Sequence, residues 1–174
     1  MLTFRSVPPS ALARIGRISE RNKIIHQIIT KRRLKAVPTL VFACDTFHAE
    51  RLAVQWRKKG ITARAITAKT PRALRHKWVQ AFKQGELEIL VNYGVLTTGF
   101  DAPNLQRVIM ARPTTSGVLF EQMVGRGLRG PKFGGTERCT VFDLADVFRL
   151  HGGMRGFQKW ERDWLKGKRP KRRN

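Results

Sequence analysis

Five short apolar runs punctuate the chain: TLVFA from Thr39, ARAI from Ala63, EILVN from Glu88, RVIMA from Arg107 and CTVFDL from Cys139. They are nearly continuous rather than alternating, the pattern of strands buried on both faces of a parallel sheet. The segments between them change to helical spacing. In TFHAERLAVQWRKKG, Ala49, Leu52, Ala53 and Trp56 fall at i, i+3, i+4 and i+7, with Gly60 as a stop signal. In TPRALRHKWVQAFKQG, Leu74, Trp78 and Phe82 form a stripe; Thr70 is placed to cap, Pro71 suits the first helical position and Gly85 ends the run. Upstream, ERNKIIHQIITKRRL predicts a helix with Ile24, Ile25, Ile28 and Ile29 on its apolar side. Phe157, Trp160 and Trp164 predict another near the end. Strand and helix in alternation predict an α/β fold: a three-layer parallel sheet of five to six strands flanked by helices.

At 174 residues the chain suits one domain with a proper core. No apolar run approaches the roughly 20 residues of a membrane span. The opening MLTFRSVPPSALARIG lacks the features of a signal peptide, so a cytoplasmic location is expected, with no membrane partner. Charge changes the picture most. There are 35 Lys and Arg against 12 Asp and Glu, a formal charge of +23. Setting aside the six positives of the tail Lys166–Arg173 still leaves a charge of +17. A polyanionic partner, nucleic acid above all, follows from that excess. Cys44 and Cys139 lie in apolar runs with no CxxC pair, and His26, His48, His76 and His151 are scattered. The thiols read as small, buried and reduced, the histidines as solvated or locally bonded, and no metal site is expected.

Ligands of open α/β sheets bind beyond the carboxyl ends of the strands. That rule selects CDTFHA, YGVLTTGFDAP and RPTTSG. The stretch SGVLFEQMVGRGLRG follows. On a helical wheel Phe120, Met123, Val124 and Gly127 group on one side, and Gln122, Arg126 and Arg129 on the other. Two aligned arginines offer a fork of donors suited to phosphate oxygens. Gly127 permits close packing and Gly125 close approach, which accounts for glycines that cost a helix about 1 kcal/mol each.

These pieces together resemble the second RecA-like lobe of superfamily 2 helicases over roughly residues 15–150. QMVGRGLRG resembles motif VI, QxxGRxxR; VLTTGFDAP resembles motif V, in the form used by DNA-repair and restriction-type members; TLVFACDTFHAERLA resembles motif IV. The resemblance implies Arg129 as an arginine finger on the γ-phosphate of ATP, Arg126 as its companion, and Gln122 as a bridge to the opposite lobe. Asp101 would bind the nucleotide ribose. Gly99 is placed with the nucleotide site, and with Thr97 or Thr98, and with the Asp45–Thr46 turn, would touch the nucleic-acid backbone. Many members carry Thr-Asp where this chain has Tyr93-Gly94, which puts a phosphate contact at Tyr93 in question. No GxxxxGK[ST] loop and no DEx[DH] box occur in the sequence. ATP and Mg²⁺ would therefore be held mainly by a first lobe, supplied in cis or in trans, and the isolated chain is expected to be inactive as an ATPase. Residues 1–14 read as an interlobe connection, 151–165 as a C-terminal amphipathic helix and 166–174 as a basic tail. The chain then reads as half of a motor: a fragment, a split gene product or an expressed domain. DNA is expected ahead of RNA. The alternatives are a non-catalytic nucleic-acid-binding module derived from such a lobe and a basic structural protein.

Overall fold

A computed structural model describes residues 7–31, 36–96, 102–113 and 139–144. The element order is α1 (Pro9–Gly16), α2 (Ser19–Thr30), β1 (Thr39–Phe42), α3 (Thr46–Arg57), β2 (Ala63–Ile66), α4 (Arg72–Lys83), β3 (Ile89–Asn92), β4 (Arg107–Met110) and β5 (Thr140–Asp143). All five strands expected from the apolar runs are present. They form one sheet in the order β2-β3-β1-β4-β5, and every pairing is parallel. The path from β1 to β2 runs outward past β3, and the return to β3 runs inward. Connections of one hand that travel in opposite directions must cross on opposite faces. The packing agrees with that rule. Ile25, Ile29, Leu52 and Trp56 of α2 and α3 cover Val41, Val91 and Ile109 on one face. Phe82 of α4, with Leu96 and Leu105, covers Leu40, Leu90 and Val108 on the other. The result is the three-layer architecture.

The central strands β1 and β3 are buried at every position. The end strands are not: β2 is half-open at Arg64 and Ala65, and β5 has no fully buried residue. A strand at the end of a sheet lacks a neighbour along one side, so an apolar run alone overstates its burial. Helix faces show the same refinement. Ala49, Leu52, Ala53 and Trp56 are all buried as their spacing requires. Ile25 and Ile29 are buried while Ile24 is exposed, and Phe82 is buried while Leu74 is exposed. In both helices the apolar stripe is wider than the surface available to cover it.

Gly60 and Gly85 take φ of +73° and +80° directly after α3 and α4, a left-handed conformation that favours glycine and ends both helices. Thr70, however, does not cap α4. Its hydroxyl accepts from the Thr67 amide at 3.0 Å, and Pro71 occupies the cap position, with its carbonyl accepting from the Arg75 amide. Helix α1 is an element the sequence pattern does not predict, within and just beyond the residues 1–14 assigned to an interlobe connection. Proline starts it and Leu12 and Gly16 bury its inner side, too short a pattern to register as periodicity. The segment around Phe157, Trp160 and Trp164 lies outside the described residues. No helix among the described residues is long and apolar enough to cross a membrane.

Candidate nucleic-acid interface at the carboxyl edge of the sheet

Beyond their carboxyl ends, β1 and β3 lie side by side while the chain leaves them toward opposite faces. From β1 it enters α3; after β3, Leu96 and Leu105 lie in the core of the α4 face. A crevice at such a switch point is where open α/β sheets bind ligands. Asp45 and Thr46 stand on one side of it and Tyr93 on the other.

The β1 side is held by a buried polar relay. The Cys44 amide donates to His48 Nδ1 at 3.2 Å. His48 Nε2 therefore carries the proton and donates to Asn22 Oδ1 at 2.9 Å. Asn22 in turn donates from Nδ2 to the Gly16 carbonyl at 2.8 Å. One side chain thus ties the exit of β1 to the ends of α1, α2 and α3. Burial, and then the neighbouring Arg21 charge, hold His48 down at about 4, well below an ordinary imidazole. Gly16 is part of the same fit, because a methyl group there would lie 3.0 Å from His48 Cβ. His48 is bonded as the sequence suggests, yet it is buried rather than solvated.

Asp45 is not a free turn residue. It is the N-cap of α3, and its Oδ1 accepts from the His48 amide at 2.6 Å. Its other oxygen lies 3.9 Å from Arg17 Nη1, a loose pair with the arginine largely exposed. Arg17 also lies over the ring of Phe47, 5.4 Å from its centroid, and Phe47 is 53% exposed. An exposed aromatic ring beside a guanidinium is a stacking platform of the kind single strands use.

On the β3 side, buried Asn92 organises the departing loop. Its Oδ1 accepts from the amides of Val95 at 3.3 Å and Leu96 at 2.9 Å, around Gly94 at φ +73°. Glycine in place of the family's usual aspartate thus has a backbone reason. Tyr93 is half-buried, and the Arg112 guanidinium at the end of β4 lies 5.8 Å from its ring centroid. Arg112 Nε is buried without a hydrogen-bond partner among the described residues. Arg21 is buried, donating to the Leu144 carbonyl at 3.2 Å.

The crevice therefore gathers Asp45, Thr46 and Tyr93 as the strand-end rule requires. Phe47 and Arg112 join them from the strand-end loops CDTFHA and RPTTSG, without having been singled out there; Arg17 and Arg21 join as well, and no spacing in the sequence marks these two. Gln122, Arg126, Arg129, Asp101, Gly99, Thr97 and Thr98 lie outside the described residues. Leu96 and Ala102, which bracket four of them, are both buried in the core of the α4 face. Cys44 is buried, and its thiol donates to the Ala111 carbonyl at 3.1 Å. Cys139 is only partly buried, and desolvation lifts its thiol to about 11. Neither is poised as a nucleophile. Among the described residues no three His, Cys, Asp or Glu side chains converge on a point.

A parallel five-stranded sheet between two helical layers, with a switch point between β1 and β3, defines a RecA-like α/β lobe. The helicase conserved C-terminal domain model matches residues 20–130, and the chain belongs to that family. It is 36% identical over 142 residues to "Putative ATP-dependent helicase IRC3" of Saccharomyces cerevisiae, covering 81% of this chain and 20% of that protein. The chain thus spans about a fifth of that relative's length. The C-terminal domain of the DEAD-box protein Dbp5 has the same fold, with a TM-score of 0.61 at 15% identity over 79% of this chain and 81% of that one. UvsW of phage T4 superposes with a TM-score of 0.60 at 21% identity, over 80% of this chain and 28% of that one.

Proposed function

We propose that this chain acts as the second lobe of an ATP-dependent helicase or translocase that moves along nucleic acid. The observation that carries the reading is the family match over residues 20–130, a span that includes Asp101, Gln122, Arg126 and Arg129. The crevice supports it: Thr46 and Phe47 follow β1 and Tyr93 follows the adjoining β3, with Arg17 against Phe47 and Arg112 against Tyr93 bringing positive charge. In this reading Arg129 stabilises charge on the transferred phosphoryl group, with Arg126 beside it and Gln122 bridging the lobes. Asp101 and Gly99 contact the nucleotide, and Thr97 and Thr98 the strand. ATP supplies the driving reaction, and Mg²⁺ the charge neutralisation at its phosphates, both held mainly by the opposite lobe. DNA is the proposed track.

The test is a two-lobe assembly made by joining this chain to a matching first lobe. There Arg129→Ala should cut nucleic-acid-stimulated ATP turnover by about 10³-fold, the scale of an arginine finger. Circular dichroism should stay unchanged. Arg129→Lys should restore little, because a point charge does not reproduce the planar fork. Wild-type turnover in Arg129→Ala would remove the finger from the proposal. The basic tail favours a second reading, a binding module without catalysis. That reading requires the wild-type assembly itself to show no stimulated turnover while it still binds nucleic acid.

A further inference from the structure

Among the described residues, strand β2 closes one end of the sheet, with β3 as its single neighbour. In a parallel pair, alternate residues of a strand turn their amide and carbonyl toward the same neighbour. The carbonyls of Thr62 and Ile66 accept from Ile89 at 2.9 Å and Tyr93 at 3.0 Å. Ala63 and Ala65 therefore point their backbone groups the other way, out of the sheet; Ala63 is buried, and Ala65 is the one that lines open space. Exposed edge groups of this kind are a template for another strand.

An open groove of about 510 Å³ runs along that edge, lined by Glu50, Val54 and Arg57 from α3 and by Arg64, Ala65 and Trp78 across it. Arg57 Nη1 donates to the Ala63 carbonyl at 3.1 Å, and Arg64 Nη1 reaches the same oxygen at 3.4 Å. Each guanidinium has five N–H donors, so most remain for another acceptor. Neither arginine forms an ion pair among the described residues. Glu50 is the one acid in the lining, which leaves the groove net positive. Val54 is 39% exposed and offers apolar surface.

We propose that this groove docks an extended acidic segment of a partner protein. The segment would add to the edge at Ala65, set a carboxylate against Arg57 and Arg64, and rest an apolar side chain on Val54. Peptide fits better than nucleic acid here. The Ala65 backbone groups have strand geometry, and Trp78 is partly buried against the core of the α4 face, unlike the exposed Phe47, which leaves a base little ring to stack on. A second copy of this chain is disfavoured by its own +23 charge. Asp45, Thr46 and Tyr93 do not line this groove, so the inference stands apart from the helicase reading.

The test uses the full chain and a short fluorescein-labelled peptide in which glutamate alternates with valine. Arg57→Glu with Arg64→Glu should weaken binding by about tenfold or more. Arg14→Glu with Lys23→Glu, the same charge change on exposed sites elsewhere, should weaken it by less than about twofold. On the unsubstituted chain, saturating peptide should slow hydrogen exchange of the Ala65 amide by about tenfold or more. That measurement decides the matter even if the charge-reversed groove fails to fold. Equal losses in the two double variants, or no protection at Ala65, would overturn the proposal. So would protection of Ala65 by single-stranded oligothymidylate in place of the peptide.

Discussion

His48 accepts from one amide and donates to one amide oxygen, so its neutral form satisfies both ring nitrogens. A second proton would set an Nδ1–H against the Cys44 amide, next to Arg21, in a site 1% exposed. The direction of the resulting pH dependence is fixed by linkage. The folded imidazole titrates at about 4 against an ordinary 6.5, so below 6.5 the unfolded chain takes up a proton that the folded chain refuses. The stability contributed by neutral His48 is complete above that value and is lost as the pH falls toward 4. Urea unfolding should lose about 2 kcal/mol between pH 7 and pH 5. His26, also pulled down chiefly by burial, adds in the same direction. His48→Gln should lower stability at pH 7 yet flatten the slope. A midpoint unchanged between pH 7 and pH 5 in the parent chain would contradict this account of the relay.

At the scale of elements, α3 links the core to the crevice, because its first residues face the ligand side and its inner face carries Leu52 and Trp56. Asp45 serves its start. Replacing Asp45 with Ala should cost about 1 kcal/mol, the usual worth of an N-cap, and Asn should restore most of it. The proposed strand contact then falls to Thr46 and the helix amides, since a carboxylate repels phosphate. Accordingly Asp45→Asn should bind a fluorescent oligonucleotide at least as tightly as the parent. Weaker binding by the well-folded Asn variant would return the contact to the carboxylate itself. Read from the sequence, Asp45 stands in a turn after the first strand and is not named as the cap, which the structure supplies. Its pairing with Arg17 was not legible either, since that arginine arrives from α1, whose pattern is too short to announce a helix.

For the whole molecule, charge is the quantity that acts at a distance. A body at +17 before its tail is counted should bind nucleic acid with little sequence preference and a steep dependence on salt. Plotted as log affinity against log salt, anisotropy data on duplex DNA should fall with a slope of about −0.9 per phosphate neutralised. Affinity indifferent to salt would remove the polyanion from the account. Parallel titrations with single-stranded DNA and RNA of matched length measure the proposed preference for DNA.

Apolar runs and their spacing determined the strand set, the helices α2, α3 and α4, and the α/β class, because burial on both faces leaves a local trace at each position. The glycines after α3 and α4 were legible for the same reason: the left-handed turn is a property of one residue. The motifs placed Asp45, Thr46 and Tyr93 at strand ends. Only the tertiary structure decided that β1 and β3 adjoin, which strands are edges, and which of two isoleucines turns inward. Only it brought Arg112 over Tyr93 and threaded Gly16, Asn22, His48 and Cys44 into one relay. Those relations join residues far apart in the chain, and a contact of that kind leaves no periodicity in a single sequence.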